Sequence, residues 1–156
     1  MTSRVYVALR VQAPAERCFA AFVQEIGAWW RPNHLFQTTP RDPGRLAFEP
    51  RQGGRLTETL ANGKVFEIGH ILAWEPPGRL VFSWRQASFP PNLQTEVEVR
   101  FEAVGPETRV SVEHRGFHQV PEGGAARHGF PDHPLLMRLA EWWRDLLAAF
   151  ARDAAP

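Results

Sequence analysis

Two side chains in this sequence are of the right type, in the right setting, for acid–base chemistry: Glu58 and His114. Glu58 lies in Leu56-Thr57-Glu58-Thr59-Leu60, where period-two alternation puts its carboxylate on the same face as Leu56 and Leu60. A carboxylate enclosed on an apolar face is desolvated, which favours its neutral form and suits it to serve as an acid, a base or a hydrogen-bond anchor. In the opposite register only threonines turn inward and Glu58 lies in water. His114 follows Val110 and Val112 on one face and can reach an interior from the strand opposite. The plainer reading is a hydrogen-bonded histidine at a strand end. If the two groups converge, they form a pair suited to proton transfer. His114 and His118 beside Glu113 have a spacing compatible with a metal, but a strand running into a loop enforces no geometry, so no metal is expected. No Gly-rich phosphate loop, nucleophile elbow or zinc-binding helix motif occurs, so no cofactor is expected. Trp29 and Trp30 offer large apolar area with one polar handle each, either to a ligand or to ordinary core packing.

These residues need a scaffold, and the chain organises it around Gly63 to Arg85, GKVFEIGHILAWEPPGRLVFSWR. Val65–Trp74 and Leu80–Trp84 are rich in β-branched and aromatic residues, and Glu75-Pro76-Pro77-Gly78 between them reads as a hairpin connection. Their bulky alternate positions need a large cover. Upstream, Val5, Val7, Leu9 and Val11 alternate with polar or small residues, predicting a strand over Arg4–Val11. Pro14 then opens a short amphipathic helix carrying Cys18, Phe19, Phe22, Val23 and Ile26, which Gly27 is expected to stop; a second short helix or loop bears the tryptophan pair. Pro40–Pro43 is turn-rich, Arg45–Pro50 and Arg55–Leu60 read as strands, Gly53-Gly54 as a tight turn or bulge, and Ala61-Asn62-Gly63 as a hairpin turn.

Downstream, Thr95, Val97, Val99 and Phe101 alternate with charged residues, and Gly105-Pro106-Glu107 turns this strand back into Thr108–His114. Gly116–Gly129 has no periodicity and reads as a loop with freedom to move. From Pro134, Leu135, Leu136, Leu139, Trp142, Trp143, Leu146, Leu147 and Phe150 form a wide apolar stripe. A helix of about 18 residues would be ~27 Å long, enough to cross a small sheet and supply the missing cover.

Composition bounds the rest. The 156 residues suit one domain, and 44% apolar with 22% charged residues suits an ordinary soluble globule. A net charge of +1 with no basic stripe argues against a nucleic-acid partner. No apolar run is long enough to span a membrane, and the N-terminus lacks a signal-peptide pattern, so the cytoplasm is the expected location. The single cysteine, Cys18, excludes an internal disulfide and fits core packing.

Gly53-Gly54-Arg55, Glu58, Gly63, Gly69-His70-Ile71-Leu72-Ala73-Trp74-Glu75-Pro76-Pro77 and Arg79-Leu80-Val81-Phe82-Ser83-Trp84, in that order, resemble the pattern of the activator-of-Hsp90-ATPase-homologue-like (AHSA1-like) branch of the START/SRPBCC superfamily. Thr108-Arg109-Val110 and His114-Arg115-Gly116-Phe117 resemble its later signature. The resemblance covers nearly the whole chain. It departs at Glu141-Trp142-Trp143, where Gly-Gly-Trp is usual, which suggests a helix starting about two turns earlier and removes the basis for assuming the usual pocket mouth. The resemblance implies an α+β helix-grip fold: a curved antiparallel sheet of six to seven strands around a long C-terminal helix, with two short helices after strand one. It also implies a cavity between sheet and helix, used across the superfamily for apolar small molecules.

The expected function is therefore binding of a small hydrophobic or aromatic ligand, with Trp29, Trp30, Phe36, Glu58, Phe66, Phe82, Trp84, Phe101, His114, Phe117 and Trp143 as candidate lining residues. A polyketide cyclase or aromatase is the enzymatic alternative and would use Glu58 and His114. An Hsp90-type co-chaperone module is the interaction alternative. It is not favoured, because the chain carries no appended domain of the kind such co-activators have. A homodimer through an edge strand is compatible with the sequence but not specified by it.

Overall fold

The computed structural model describes residues 4–31, 33, 35–36, 38–39, 44–121 and 123–156; the turn expected at Pro40–Pro43 lies outside the described residues. The elements are β1 (Arg4–Val11), α1 (Ala15–Gln24), α2 (Ile26–Trp29), β2 (Arg45–Phe48), β3 (Arg55–Thr59), β4 (Val65–Glu75), β5 (Arg79–Trp84), β6 (Thr95–Val104), β7 (Glu107–Arg115) and α3 (Asp132–Ala154). The strands form a seven-stranded sheet in the order β1-β7-β6-β5-β4-β3-β2, antiparallel throughout. The sheet curls around its interior, in an α+β helix-grip arrangement with α3 as the gripped helix.

Alternation decides which side chains face the helix. Val97, Val99 and Phe101 from β6, Val110, Val112 and His114 from β7, and Leu80, Phe82 and Trp84 from β5 are all buried. The opposite face of β5–β7 carries charge. There Glu98 accepts from Arg79 Nε at 2.9 Å and from Arg115 Nη1 at 3.0 Å, and pairs with Arg100 at 2.7 Å. Partial burial works to raise the Glu98 carboxyl, but the Arg79 and Arg115 bonds outweigh it and hold the group at about 2.

The curl originates in β4. Register breaks against both β3 and β5, and Gly69 sits so close to β5 that a Cβ there would lie 1.8 Å from the Ser83 carbonyl oxygen. The Ser83 hydroxyl accepts from the His70 backbone N–H at 2.9 Å, filling a bond the broken ladder leaves open. The hairpin at Glu75–Arg79 contains a cis Pro76–Pro77 bond and closes through Gly78 N–H to the Glu75 carbonyl.

Three sequence expectations are revised. Gly27 does not end the first helix; α1 stops at Gln24, and Gly27 lies within α2, where a Cβ would come 3.0 Å from the Leu46 carbonyl oxygen. Glycine is there to let α2 press on β2. The last helix runs over 23 residues from Asp132, not about 18 from Pro134, and at ~1.5 Å per residue is ~35 Å long. Pro134 is accommodated because N–H groups of the first turn have no intrahelical acceptor in any case. Gly116–Gly129 carries two 3₁₀ turns, Phe117–Gln119 and Ala125–Arg127, and is anchored by Arg127. Only 2% exposed, Arg127 donates to the Val120 carbonyl at 2.7 Å and the Phe117 carbonyl at 3.1 Å, and pairs with Asp132 at the start of α3.

Candidate functional site

α3 lies against β1, α1 and α2. Over β5–β7, rings from α3 and from the sheet line the interval between them. Trp142 and Trp143 project from α3, Trp84 from β5 and His114 from β7, and Trp30 enters directly after α2. Trp30 has its ring centroid 5.3 Å from Trp84, 5.4 Å from Trp142 and 5.8 Å from Trp143. Phe36 stacks on Trp142 at 5.1 Å and 13°, and Phe117 meets His114 edge-on at 5.0 Å. Trp30 is half-buried whereas Trp84, Trp143 and His114 are fully enclosed, so Trp30 is the ring on the solvent side of the cluster.

The other candidate aromatics gather around Phe22 of α1, whose ring lies 4.8 Å from Trp29, 6.3 Å from Phe82 and 5.9 Å from Phe101. Phe48 and Phe150 complete this second group, and Trp29 joins it to Trp30 at 5.7 Å. Phe66 belongs to neither group; its ring lies under the Arg85 guanidinium, 5.5 Å from Cζ.

Hydrogen bonds inside the first cluster run in one direction. Trp143 Nε1 lies 3.1 Å from His114 Nδ1, and because an indole N–H can only donate, Nδ1 accepts. The ring proton is therefore on Nε2, 2.8 Å from Thr95 Oγ1, and the Thr95 hydroxyl donates on to the Trp84 carbonyl at 3.0 Å. Desolvation first, and the neighbouring Arg115 charge second, push the imidazole down to about 3. A second ring proton would also face an indole N–H. His114 is thus a neutral, doubly satisfied link between sheet and helix.

Glu58 faces inward with Leu56, at 3% exposure. Its carboxylate accepts from Thr38 Oγ1 at 2.6 Å, Thr39 Oγ1 at 3.0 Å and the Gly44 backbone N–H at 2.8 Å. It clasps the chain leading into β2, and no hydrogen bond joins it to His114. Replacing Glu58 by Gln puts an N–H₂ donor where one of these donors now bonds. The variant is expected to lose about 1–3 kcal/mol in chemical unfolding, with faster amide exchange at Gly44.

Other indoles find acceptors. Trp29 Nε1 donates to the Ala21 carbonyl at 3.0 Å and Trp142 Nε1 to the Arg31 carbonyl at 3.2 Å. Trp84 Nε1 does not: it is a fully buried donor without a hydrogen-bond partner among the described residues, next to Trp30 and Trp142. Sequence reasoning missed Trp142 and Thr95 as members of the cluster, although both were legible: Trp142 from the apolar stripe and Thr95 from its parity with Val97. Among the described residues no three His, Cys, Asp or Glu side chains group as metal ligands, and no helix is long and apolar enough to cross a membrane.

A curled antiparallel sheet closed on a long C-terminal helix, with an aromatic interior between them, defines a helix-grip protein of the START-like class. Within that class the chain belongs to the family of activator of Hsp90 ATPase homolog 1-like proteins, AHSA1, whose family model matches residues 12–150. Among solved structures, it is similar to protein MLL2253 from Mesorhizobium loti, with TM-score 0.67 and 20% identity over 96% of this chain and 95% of that one. CalU16 from Micromonospora echinospora superposes with TM-score 0.63 and 21% identity over 98% of this chain and 76% of that one. An anthrahydroquino-gamma-pyrone synthase superposes with TM-score 0.62 and 29% identity over 97% of this chain and 96% of that one. No match was found among curated protein sequences.

Proposed function

We propose that the protein binds a small, planar, oxygen-bearing hydrophobic molecule between the sheet and α3, against Trp30, Trp84 and Trp142. The observation that carries this reading is the Trp84 indole N–H, fully enclosed and unbonded amid aromatic rings. A buried donor left unpaired costs free energy that a ligand oxygen in the same place would restore. The likeness to an anthrahydroquino-gamma-pyrone synthase supports a ligand of polyketide type, flat and carbonyl-bearing. Binding rather than acid–base turnover is favoured because Glu58 and His114 are each engaged by structural partners and do not meet.

Tryptophan-fluorescence titration with an anthraquinone-type probe tests the reading. Trp84→Phe keeps a ring in place and removes the donor, so the probe should bind about tenfold more weakly, the worth of one buried hydrogen bond. An affinity unchanged by the substitution would take the Trp84 donor out of the site. Co-purified compound recovered on native mass spectrometry would identify the natural ligand's class.

A further inference from the structure

A cleft that shares no residue with the aromatic cluster opens where β4 passes the segment after β5. It encloses about 420 Å³ and is lined by Phe66, Glu67, His70, Arg85, Asn92, Leu93 and Gln94, among others. Its volume lies in the range of small-molecule sites, ~300–1,000 Å³.

Arg85 is fixed in this cleft by its backbone, whose N–H donates to the Ile68 carbonyl at 3.0 Å. Arg85 is half-buried, its guanidinium lies over the face of Phe66, and Nε is enclosed without a hydrogen-bond partner among the described residues. Among the described residues no carboxylate pairs with it, whereas Arg79, Arg100 and Arg115 all hold Glu98. Glu67, the acid in the cleft wall, is turned to His70 Nε2 at 3.0 Å. Opposite stand the carboxamides Asn92 and Gln94, with Leu93 between them, in a turn that Asn92 enters with a left-handed φ of 65°. The site therefore combines one planar cation with no carboxylate partner among the described residues, an apolar wall, two carboxamides and one acid, Glu67, that is turned to His70.

We propose that this cleft is a binding site for a small organic carboxylate with a flat apolar body, the carboxylate held by Arg85 and the body packed on Phe66 and Leu93. A guanidinium fork matches a carboxylate with two parallel hydrogen bonds, and the ring beneath keeps the fork in plane while leaving its N–H edge free. The apolar wall favours an aromatic acid over a bare phosphate.

Calorimetric titration with 2-naphthoate, its neutral analogue 2-naphthamide and inorganic phosphate tests the proposal, with amide NMR shifts locating the site. Naphthoate should bind at least about tenfold more tightly than naphthamide, with shifts at Phe66, Leu93 and Gln94. Arg85→Gln should erase that difference, and Arg85→Lys, which keeps the charge but not the fork, should recover only part of it. Circular dichroism verifies that the variants fold. The naphthoate-induced shifts at Phe66, Leu93 and Gln94 should persist with an anthraquinone-type probe in excess, which separates this site from the one between sheet and helix. Equal binding of acid and amide, full affinity in a folded Arg85→Gln protein, phosphate competing as well as naphthoate, or no shifts in the cleft at millimolar naphthoate would each overturn it.

Discussion

Between pH 6.5 and about 3 the unfolding equilibrium constant of this protein should rise by about a factor of ten per pH unit on account of His114 alone. The sign follows from proton counting. The unfolded chain binds a proton at His114 below about pH 6.5. The folded chain keeps that ring neutral down to about 3, because the site is dry and because the Arg115 charge lies nearby. In this window the unfolded state binds more protons, so stability falls as pH falls. Above pH 6.5 both states are neutral and the group contributes no slope. Glu98 adds an acid loss of its own, in a lower window: its folded carboxyl sits at about 2 against an ordinary 4.5, so its contribution is present above 4.5 and fades below.

His114→Gln isolates the histidine's share. The glutamine amide can accept from Trp143 and donate to Thr95, yet it does not titrate. Urea unfolding of both proteins across pH 4–8 should give a difference that is flat above pH 6.5 and turns towards the variant below it. A parallel pair of curves would mean that the ring takes a proton in the folded state, and that it is a proton-transfer group after all.

Gly69→Ala should be the most damaging single methyl in the chain. A Cβ at this position would lie 1.8 Å from the Ser83 carbonyl oxygen and 2.5 Å from its carbonyl carbon, and both belong to backbone that β6 holds from the other side. Neither a rotamer change nor a loop shift relieves such a contact; the two strands must separate where the sheet bends. We expect a loss of about 3 kcal/mol or more, at the upper end for overpacking, or failure to fold at 37 °C. Gly53→Ala is the control. There the Cβ meets nothing within 4 Å, and the cost should be only that of a left-handed φ of 75°, about 1 kcal/mol. Thermal melts of the two variants separate these causes. Similar melting temperatures would show that β4 does not need the close approach.

The two proposed sites rest on different unfilled donors. Among the described residues, a buried N–H lacks an acceptor at Trp84 and a cation lacks an anion at Arg85. The outer network shows what completion looks like: Glu98 bonds or pairs with three arginines, and Arg115 with three glutamates. Against that background, the unfilled donors at Trp84 and Arg85 are the observations on which the two proposals rest.

The seven strands, and the faces that they and the last helix bury, are legible in the sequence, although helix ends and the 3₁₀ turns are not. Two periodicities suffice for that: alternation put Val97, Val99 and Phe101 inside, and a stripe of Leu and Trp marked α3 as their cover. It also placed Glu58 on the face of Leu56, because strand parity is a local property. Tertiary structure alone decided what those inward groups do. Whether a buried carboxylate is an acid or a clasp depends on donors from elsewhere, here Thr38, Thr39 and Gly44. Whether a histidine titrates depends on how completely its neighbours bury it, and His114 is fully enclosed. The unpaired donors at Trp84 and Arg85 are likewise invisible in one dimension, since a missing partner is defined only once every neighbour is in place. Hydrogen bonds and ion pairs act over about 3–4 Å, and which groups come that close is a property of strand order and curl, not of spacing along the chain.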